Sequence, residues 1–355
     1  MRKIRVLVVE DSPVMRRAIM MTLAKDAAVE VVGAAKHGQE ALALLPELKP
    51  DLITLDIEMP VMDGLATLRE LRKLHPNLPV IMFSSLTQRG AVATVLALTI
   101  GATDCVAKPA NMSNLSESWQ CLEEELLPRV KFYGENVMLR SERPPRPAAI
   151  EAPSATVTSL RRRPVHALCI GVSTGGPNAL VQIFSKIPDP LPVPVLIVQH
   201  MPAMFTRMLA ERLTSVAQME FHEAADGMEA LPGHGYLAPG GKHMTVAQAD
   251  GVTRLFLNEQ PPENSCRPAV DVLFRSAAST FGPNLLVAVL TGMGRDGTRG
   301  CEAVRARGGR VLVQDEATSV VWGMPGQVWE AGFADRMLPL DQMADEFIRY
   351  SQIGR

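Results

Sequence analysis

Twice along this chain, short runs rich in β-branched residues alternate with amphipathic Ala- and Leu-rich segments, and that alternation restricts the fold more than any other feature. From residue 1 to 131 the runs IRVLVV, VEVVGA, DLITLD, PVIMFSS and DCVAK are each followed by a segment such as VMRRAIMMTLAK or LATLRELRKL. Five β/α pairs predict a doubly wound parallel sheet with helices on both faces. Residues 164–350 resume the alternation with more Gly and Pro, around a small β-rich insert from FHEAADG to VTRLFLN whose LPGHG, APGG and AQADG read as hairpin-like turns. Between the two, residues 132–163 change character from Gly134 onward to repeated Pro, Ser and Arg, ending in Arg161, Arg162 and Arg163. Such a stretch cannot bury enough apolar surface to order itself, so a linker is expected between two α/β domains.

At 355 residues and 47% hydrophobic content, the chain can build two cores without disulfides. The five cysteines (Cys105, Cys121, Cys169, Cys266, Cys301) are scattered, odd in number and never spaced CxxC. That pattern argues against a disulfide framework or a zinc site, fits a reducing cytosol, and reads as five small buried apolar residues. A net charge of -2 and the lack of a helix-turn-helix pattern or basic face give no reason to expect nucleic-acid binding. No uncharged apolar stretch reaches the roughly 18 residues of a membrane span, and MRKIRVLVVEDS reads as a first strand rather than a signal peptide. A cytoplasmic protein without membrane insertion is expected.

In open parallel sheets, ligands bind outside the carboxyl ends of the strands. In the first half, those ends carry Glu10 and Asp11, Asp56, Ser84, and Lys108 followed by Pro109. Three clustered carboxylates repel one another, a cost that a hard cation such as Mg2+ offsets. A carboxylate beside a metal and a lysine can attack phosphorus, and Asp56 is the candidate. With VVEDS at 8–12, LDIEMPVMDG at 55–64, SS at 84–85 and KP at 108–109 in order, this half resembles the receiver domain of two-component response regulators, a flavodoxin-like fold. The resemblance implies that Asp56 accepts phosphate from a histidine kinase and that Glu10, Asp11 and Asp56 hold Mg2+. It also implies that Lys108 contacts the phosphoryl group and that Ser84 is the hydroxyl that reports phosphorylation. Two positions depart from the pattern. Glu10 stands where Asp is commoner, and Cys105 stands where an aromatic often couples to the hydroxyl, leaving the usual aromatic flip without its side chain.

In the second half, three apolar runs each end in one member of a hydrolase set: HALCIGVS at Ser173, PVLIVQH at His200 and LLVAVLTGMGRD at Asp296. Ser173 lies in a G-x-S-x-G spacing that suits a nucleophile on a sharp strand-to-helix turn, with Pro177 fitting the first turn of the helix. Alone, such a turn is also the form in which glycine-rich loops cradle phosphates. Three strand ends in one domain favour nucleophile, base and orienting carboxylate. The order Ser, His, Asp differs from that of α/β-hydrolases, so an ordinary esterase fold is not expected.

That order, with GVSTGGP, QHMP, LPGHGYLAPGGKH, RPAVDVLF, LTGMGRDG and GMPG, resembles the catalytic domain of chemotaxis protein-glutamate methylesterases of the CheB type. The resemblance implies Ser173 as nucleophile, His200 as general base, Asp296 as its orienting group, Met293 N–H at the oxyanion and Thr174 lining the site, with no cofactor for the esterase. The implied reaction is hydrolysis of glutamate methyl esters on chemoreceptors, with deamidation of receptor glutamines by the same attack. It implies a monomer regulated by phosphorylation at Asp56, whose unphosphorylated receiver covers the Ser173 cleft. His243 in GGKHM and Arg267 in CRPAVD receive no role, and His166, His222 and His234 read as structural or exposed. Two alternatives stay open: the same chemistry in a non-chemotactic receptor array, and a non-catalytic response regulator with a partner-binding output domain.

Overall fold

The apolar runs of the first half become β1 (Ile4–Val9), β2 (Val29–Ala35), β3 (Leu52–Asp56), β4 (Val80–Ser84) and β5 (Asp104–Ala107). The amphipathic segments become α1 (Pro13–Leu23), α2 (Gly38–Leu48), α3 (Gly64–Leu74), α4 (Gln88–Ile100) and α5 (Leu115–Glu142). The computed structural model describes residues 2–85, 87–108, 115–142, 163–249 and 251–353. It divides into two units, Met1–Arg146 and Pro147–Arg355.

The five strands of the first unit are parallel in the order β2-β1-β3-β4-β5. Every residue of β3 and β4 is buried, as strands covered on both faces must be. Helix starts are set locally: Ser12 accepts Met15 N–H ahead of Pro13, and Asp63 accepts Ala66 N–H. Helix α5 runs eleven residues into the segment expected to be linker, through Glu142. Gly134, which reads as a break, instead lets the helix approach β1, because a Cβ there would stand 2.3 Å from Ile4 Cγ2. Tyr133 Oη donates to Asp104, and just ahead of it Lys131 pairs with Asp26, which ties the start of this stretch to the domain. Pro109, Arg161, Arg162 and the remaining expected linker, residues 143–162, lie outside the described residues.

The second unit contains β6 (Ala167–Val172), α6 (Gly176–Phe184), β7 (Val195–Gln199), α7 (Ala203–Val216), β8 (Glu220–Glu223), β9 (His234–Leu237), β10 (His243–Ala249) and β11 (Val252–Asn258). It continues with α8 (Val270–Phe281), β12 (Leu285–Val289), α9 (Thr298–Ala306), β13 (Arg310–Gln314), α10 (Met324–Glu330), β14 (Arg336–Leu338) and α11 (Leu340–Ser351). Seven strands form a parallel sheet in the order β14-β13-β12-β6-β7-β9-β8. The hairpin expected in the β-rich segment is β10–β11. Strands β8 and β9 of the same segment run parallel and finish the edge of the main sheet. Cys169 and Cys301 are fully buried in this core beside Phe274 and Val287, and burying a side chain such as that of Phe274 or Val287 contributes about 1.5–3 kcal/mol to stability. No described helix is long and apolar enough to cross a membrane.

Strand order fixes where a site can form. The chain leaves β6 toward β7 on one side, whereas β12 joins β6 from the other, so β6 is the switch point of the sheet.

Candidate active site

Ser173 follows β6 directly and is stitched to both neighbouring strands. Its N–H donates to Thr291 O at 3.0 Å, and His200 N–H donates to Val172 O at 3.2 Å. Buried Gln199 donates from Nε2 to both Ser173 O (3.0 Å) and His200 O (3.2 Å), clamping the two strand ends together. The chain then turns into α6 through Gly175 at φ 79°, a left-handed conformation that favours glycine. On the far side, a Cβ on Gly292 would stand 2.8 Å from Ser173 Cβ, so the β12 loop passes this close only as glycine.

His200 Nε2 lies 2.9 Å from Asp296 Oδ2. The carboxylate is 1% exposed and accepts four further hydrogen bonds. Oδ2 takes Val270 N–H (2.6 Å), and Oδ1 takes Asp271 N–H, Gly297 N–H and Asn264 Nδ2, each at 3.0 Å. Val270 and Asp271 open α8, which has no side-chain cap of its own, so Asp296 supplies the acceptor and sits at the positive end of the helix dipole. Burial alone would raise the Asp296 pKa, but the bond and charge of His200 and the α8 amides hold it below the ordinary carboxylate value. Burial likewise opposes charge on His200, yet Asp296 and then Cys266 outweigh it and the imidazole is pushed up to about 9.

Because Asp296 occupies Nε2, the ring nitrogen left for a serine proton is Nδ1. Cys266 Sγ stands 3.6 Å from it. Ser173 Oγ makes no hydrogen bond to the ring among the described residues, so the structure joins His200 to Asp296 and brings Ser173 beside them through the backbone alone. Thr174 O accepts from Thr291 Oγ1 (2.9 Å), and exposed Met293 directs its N–H to no acceptor among the described residues.

Sequence reasoning missed Cys266, which is half-buried against the base rather than an inert core residue, and missed Asn264, which bridges Asp296 and buried Asp271. The only signal was their place just before RPAVD. His243 is buried, facing Pro261 O through Nε2 and accepting Ala269 N–H at Nδ1, so it supports the start of α8. Arg267 donates to the carbonyls of Glu259 and Gln260.

At the rim of the first sheet, Lys108 Nζ lies 2.8 Å from Asp56 Oδ1 and 3.1 Å from Glu10 Oε2. Asp11 is exposed and offers a carboxylate oxygen within 4.8 Å of those of the other two acids. Burial first, then the Asp56 charge, pushes Glu10 up to about 7; burial also raises Asp56 against the pull of Lys108. Lys108 is held above its ordinary value because Asp56 and Glu10 outweigh its desolvation. Asp56 Oδ2 is buried without a hydrogen-bond partner. An orphaned carboxylate oxygen among hard oxygen donors fits a Mg2+ ligand. The Ser84 hydroxyl points to the start of α4, accepting from Thr94 Oγ1 at 2.6 Å and lying 3.1 Å from Gly90 O, rather than to Asp56. Half-buried Cys105 has its thiol pushed up to about 12, by burial and then by Asp104. The side chain of Cys121 lies outside the described residues.

Two family profiles match the chain: the response regulator receiver domain over residues 6–120 and CheB methylesterase over residues 168–347. A protein-glutamate methylesterase/protein-glutamine glutaminase of Trichodesmium erythraeum is 47% identical over 98% of this chain and 99% of its own length. One of a Nocardioides species is 47% identical over 98% of this chain and 95% of its own. The crystal structure of the Thermotoga maritima CheB methylesterase catalytic domain is 40% identical, covers 52% of this chain and 98% of that one, and superposes with a TM-score of 0.51. A catalytic-domain match over half the chain, joined to relatives aligned almost end to end, means that this chain belongs to the protein-glutamate methylesterase/protein-glutamine glutaminase family.

Proposed function

We infer that the protein is a phosphorylation-controlled hydrolase that removes methyl esters from glutamate side chains of chemoreceptors, and deamidates receptor glutamines, to reset adaptation in chemotaxis. The observation that carries the chemistry is the buried Asp296–His200 pair set beside Ser173 at the switch point of the sheet. Relatives named as enzymes over nearly the full chain favour this reading over a binding-only output domain.

In the proposed mechanism, Ser173 Oγ attacks the ester carbonyl carbon and passes its proton to His200 Nδ1, while Asp296 stabilises the imidazolium through Nε2–H. Met293 N–H is directed at the oxyanion of the tetrahedral intermediate. Collapse expels methanol with the proton from His200 and leaves the glutamyl ester of Ser173. Water, deprotonated by the same nitrogen, attacks the acyl carbon, and as the bond to Ser173 Oγ breaks His200 returns the proton to that oxygen, releasing the glutamate carboxylate. With glutamine the leaving group is ammonia. Thr174 lines the approach.

Asp56 is the acceptor of phosphate from a histidine kinase, with Lys108 contacting the transferred group. Glu10, Asp11 and Asp56 would hold Mg2+, whose charge would neutralise that of the phosphoryl group. Phosphate at Asp56 gives Lys108 a new partner, and the reorientation of Ser84 away from α4 is the proposed report of that change. The working location is the cytoplasm, where kinase and receptor signalling tips meet. Methanol release from methylated chemoreceptor membranes, with and without a small phosphodonor and Mg2+, tests the assignment. Release that needs Ser173 and rises with the phosphodonor is expected; no release while Asp56 still takes phosphate would overturn it.

A further inference from the structure

The outer edge of the second sheet gathers three metal-ligating side chains that the hydrolase does not use. Strands β8 and β9 pair in parallel with Glu220 opposite His234 and His222 opposite Tyr236. Side chains two apart on a strand share a face, so Glu220 and His222 project together, and the pairing brings His234 beside them. The two imidazoles stack with centroids 5.4 Å apart, and His222 Nε2 lies 3.2 Å from His234 Nδ1. Glu220 Oε2 is 3.7 Å from His222 Nε2 and 4.0 Å from His234 Nδ1. The point equidistant from three atoms so separated lies about 2.1 Å from each, which is the length of a Zn–N or Zn–O bond.

We propose that Glu220, His222 and His234 form a binding site for a divalent transition cation of the Zn2+ class. Two imidazole nitrogens and one carboxylate select Zn2+, Cu2+ or Ni2+ over Mg2+, in contrast to the all-oxygen group of Glu10, Asp11 and Asp56. The ligands are open to solvent, with side chains 67%, 39% and 32% exposed, so the fourth position is filled by water. A cation there cross-links β8, the edge strand, to β9. Closing the two carboxylate separations toward the tetrahedral edge of about 3.3 Å takes only rotation of the exposed Glu220 side chain.

Metal-stripped full-length protein is titrated with ZnCl2 against a chromophoric chelator, and thermal unfolding is followed with and without Zn2+. His200, Cys266 and Asp296 form a second group with mixed donors, so Cys266→Ala serves as the control. The wild type is expected to bind Zn2+ with an affinity that falls about tenfold or more in His222→Ala and in His234→Ala and less in Glu220→Gln. Cys266→Ala is expected to leave that affinity unchanged, a large excess of Mg2+ not to compete, and Zn2+ to raise the melting temperature of the wild type but not of the histidine variants. Both imidazoles are partly exposed, and metal-free melting curves of the variants report whether they fold. Folded histidine variants with wild-type Zn2+ affinity would overturn the proposal, as would binding abolished by Cys266→Ala.

Discussion

Replacing Asp296 by Asn changes one atom of the buried pair, and the surrounding donors decide which one. Oδ1 accepts three N–H groups, from Asp271, Gly297 and Asn264, so the amide oxygen of Asn must stay there. The new NH2 then replaces Oδ2 and faces two donors, Val270 N–H and His200 Nε2–H. An orphaned buried Val270 N–H costs about 1–3 kcal/mol of folding stability. For a domain of this size each kcal/mol lowers the melting temperature by about 2–4 °C. His200 can accommodate the amide only by moving its proton to Nδ1, the nitrogen that must accept the Ser173 proton. Loss of the base tautomer costs a Ser-His-Asp triad a factor of about 10⁴, or roughly 5.5 kcal/mol of barrier. Methanol release under saturating phosphodonor, with thermal unfolding of the same sample, reads both numbers. Activity within tenfold of the parent together with an unchanged melting temperature would show that Asp296 neither sets the tautomer nor satisfies the start of α8.

With His200 pushed up to about 9, kcat/KM is expected to rise about tenfold per pH unit and to level off above that value, because only the neutral ring accepts a proton. The same shift stabilises the fold fully below about 6.5, and that contribution is lost as pH rises through about 9, which melting curves across this range check. Gly292→Ala pushes a methyl against Ser173 Cβ and is expected to lower kcat by about 10²-fold, with folding retained by circular dichroism. Alkylating Cys266 places an adduct against His200 Nδ1 and is expected to block methanol release, with Cys266→Ala removing the sensitivity to the reagent. Glu10 is half-protonated at about 7, so Mg2+ binding, measured by calorimetry, is expected to weaken about tenfold between pH 8 and pH 6.

Much of the fold was legible because strands buried on both faces are near-continuous apolar runs, as VIMF and ALCIGV are. The strand ends then placed Ser173, His200 and Asp296 on one rim, since a parallel sheet presents its carboxyl ends together. What escaped was whatever depends on contacts between distant segments. Cys266 lies 66 residues from His200, and no local pattern says that its sulfur meets Nδ1. Gly134 reads as the point where the linker changes character until Ile4 is seen to require the missing Cβ. The turn residues around LPGHG were correct as turns but did not reveal that β8 and β9 run parallel, because turn chemistry does not say which strand comes next in the sheet. Ser84 was placed correctly at the end of β4, while its rotamer answers to Thr94 on α4.

Of the five donors that hold Asp296, three are main-chain amides: those of Val270, Asp271 and Gly297. At Val270 and Asp271 any residue but proline keeps the peptide N–H in place, and only Gly297, left-handed at φ 97°, is tied to its residue type, so drift in the sequence around this carboxylate does not readily discharge it. The ionisation of the acid is thus inherited with the path of the backbone more than with any neighbouring residue. In a lineage where substrate-facing residues are retuned to new receptors, the part of the machinery least exposed to that drift is the negative charge behind the histidine.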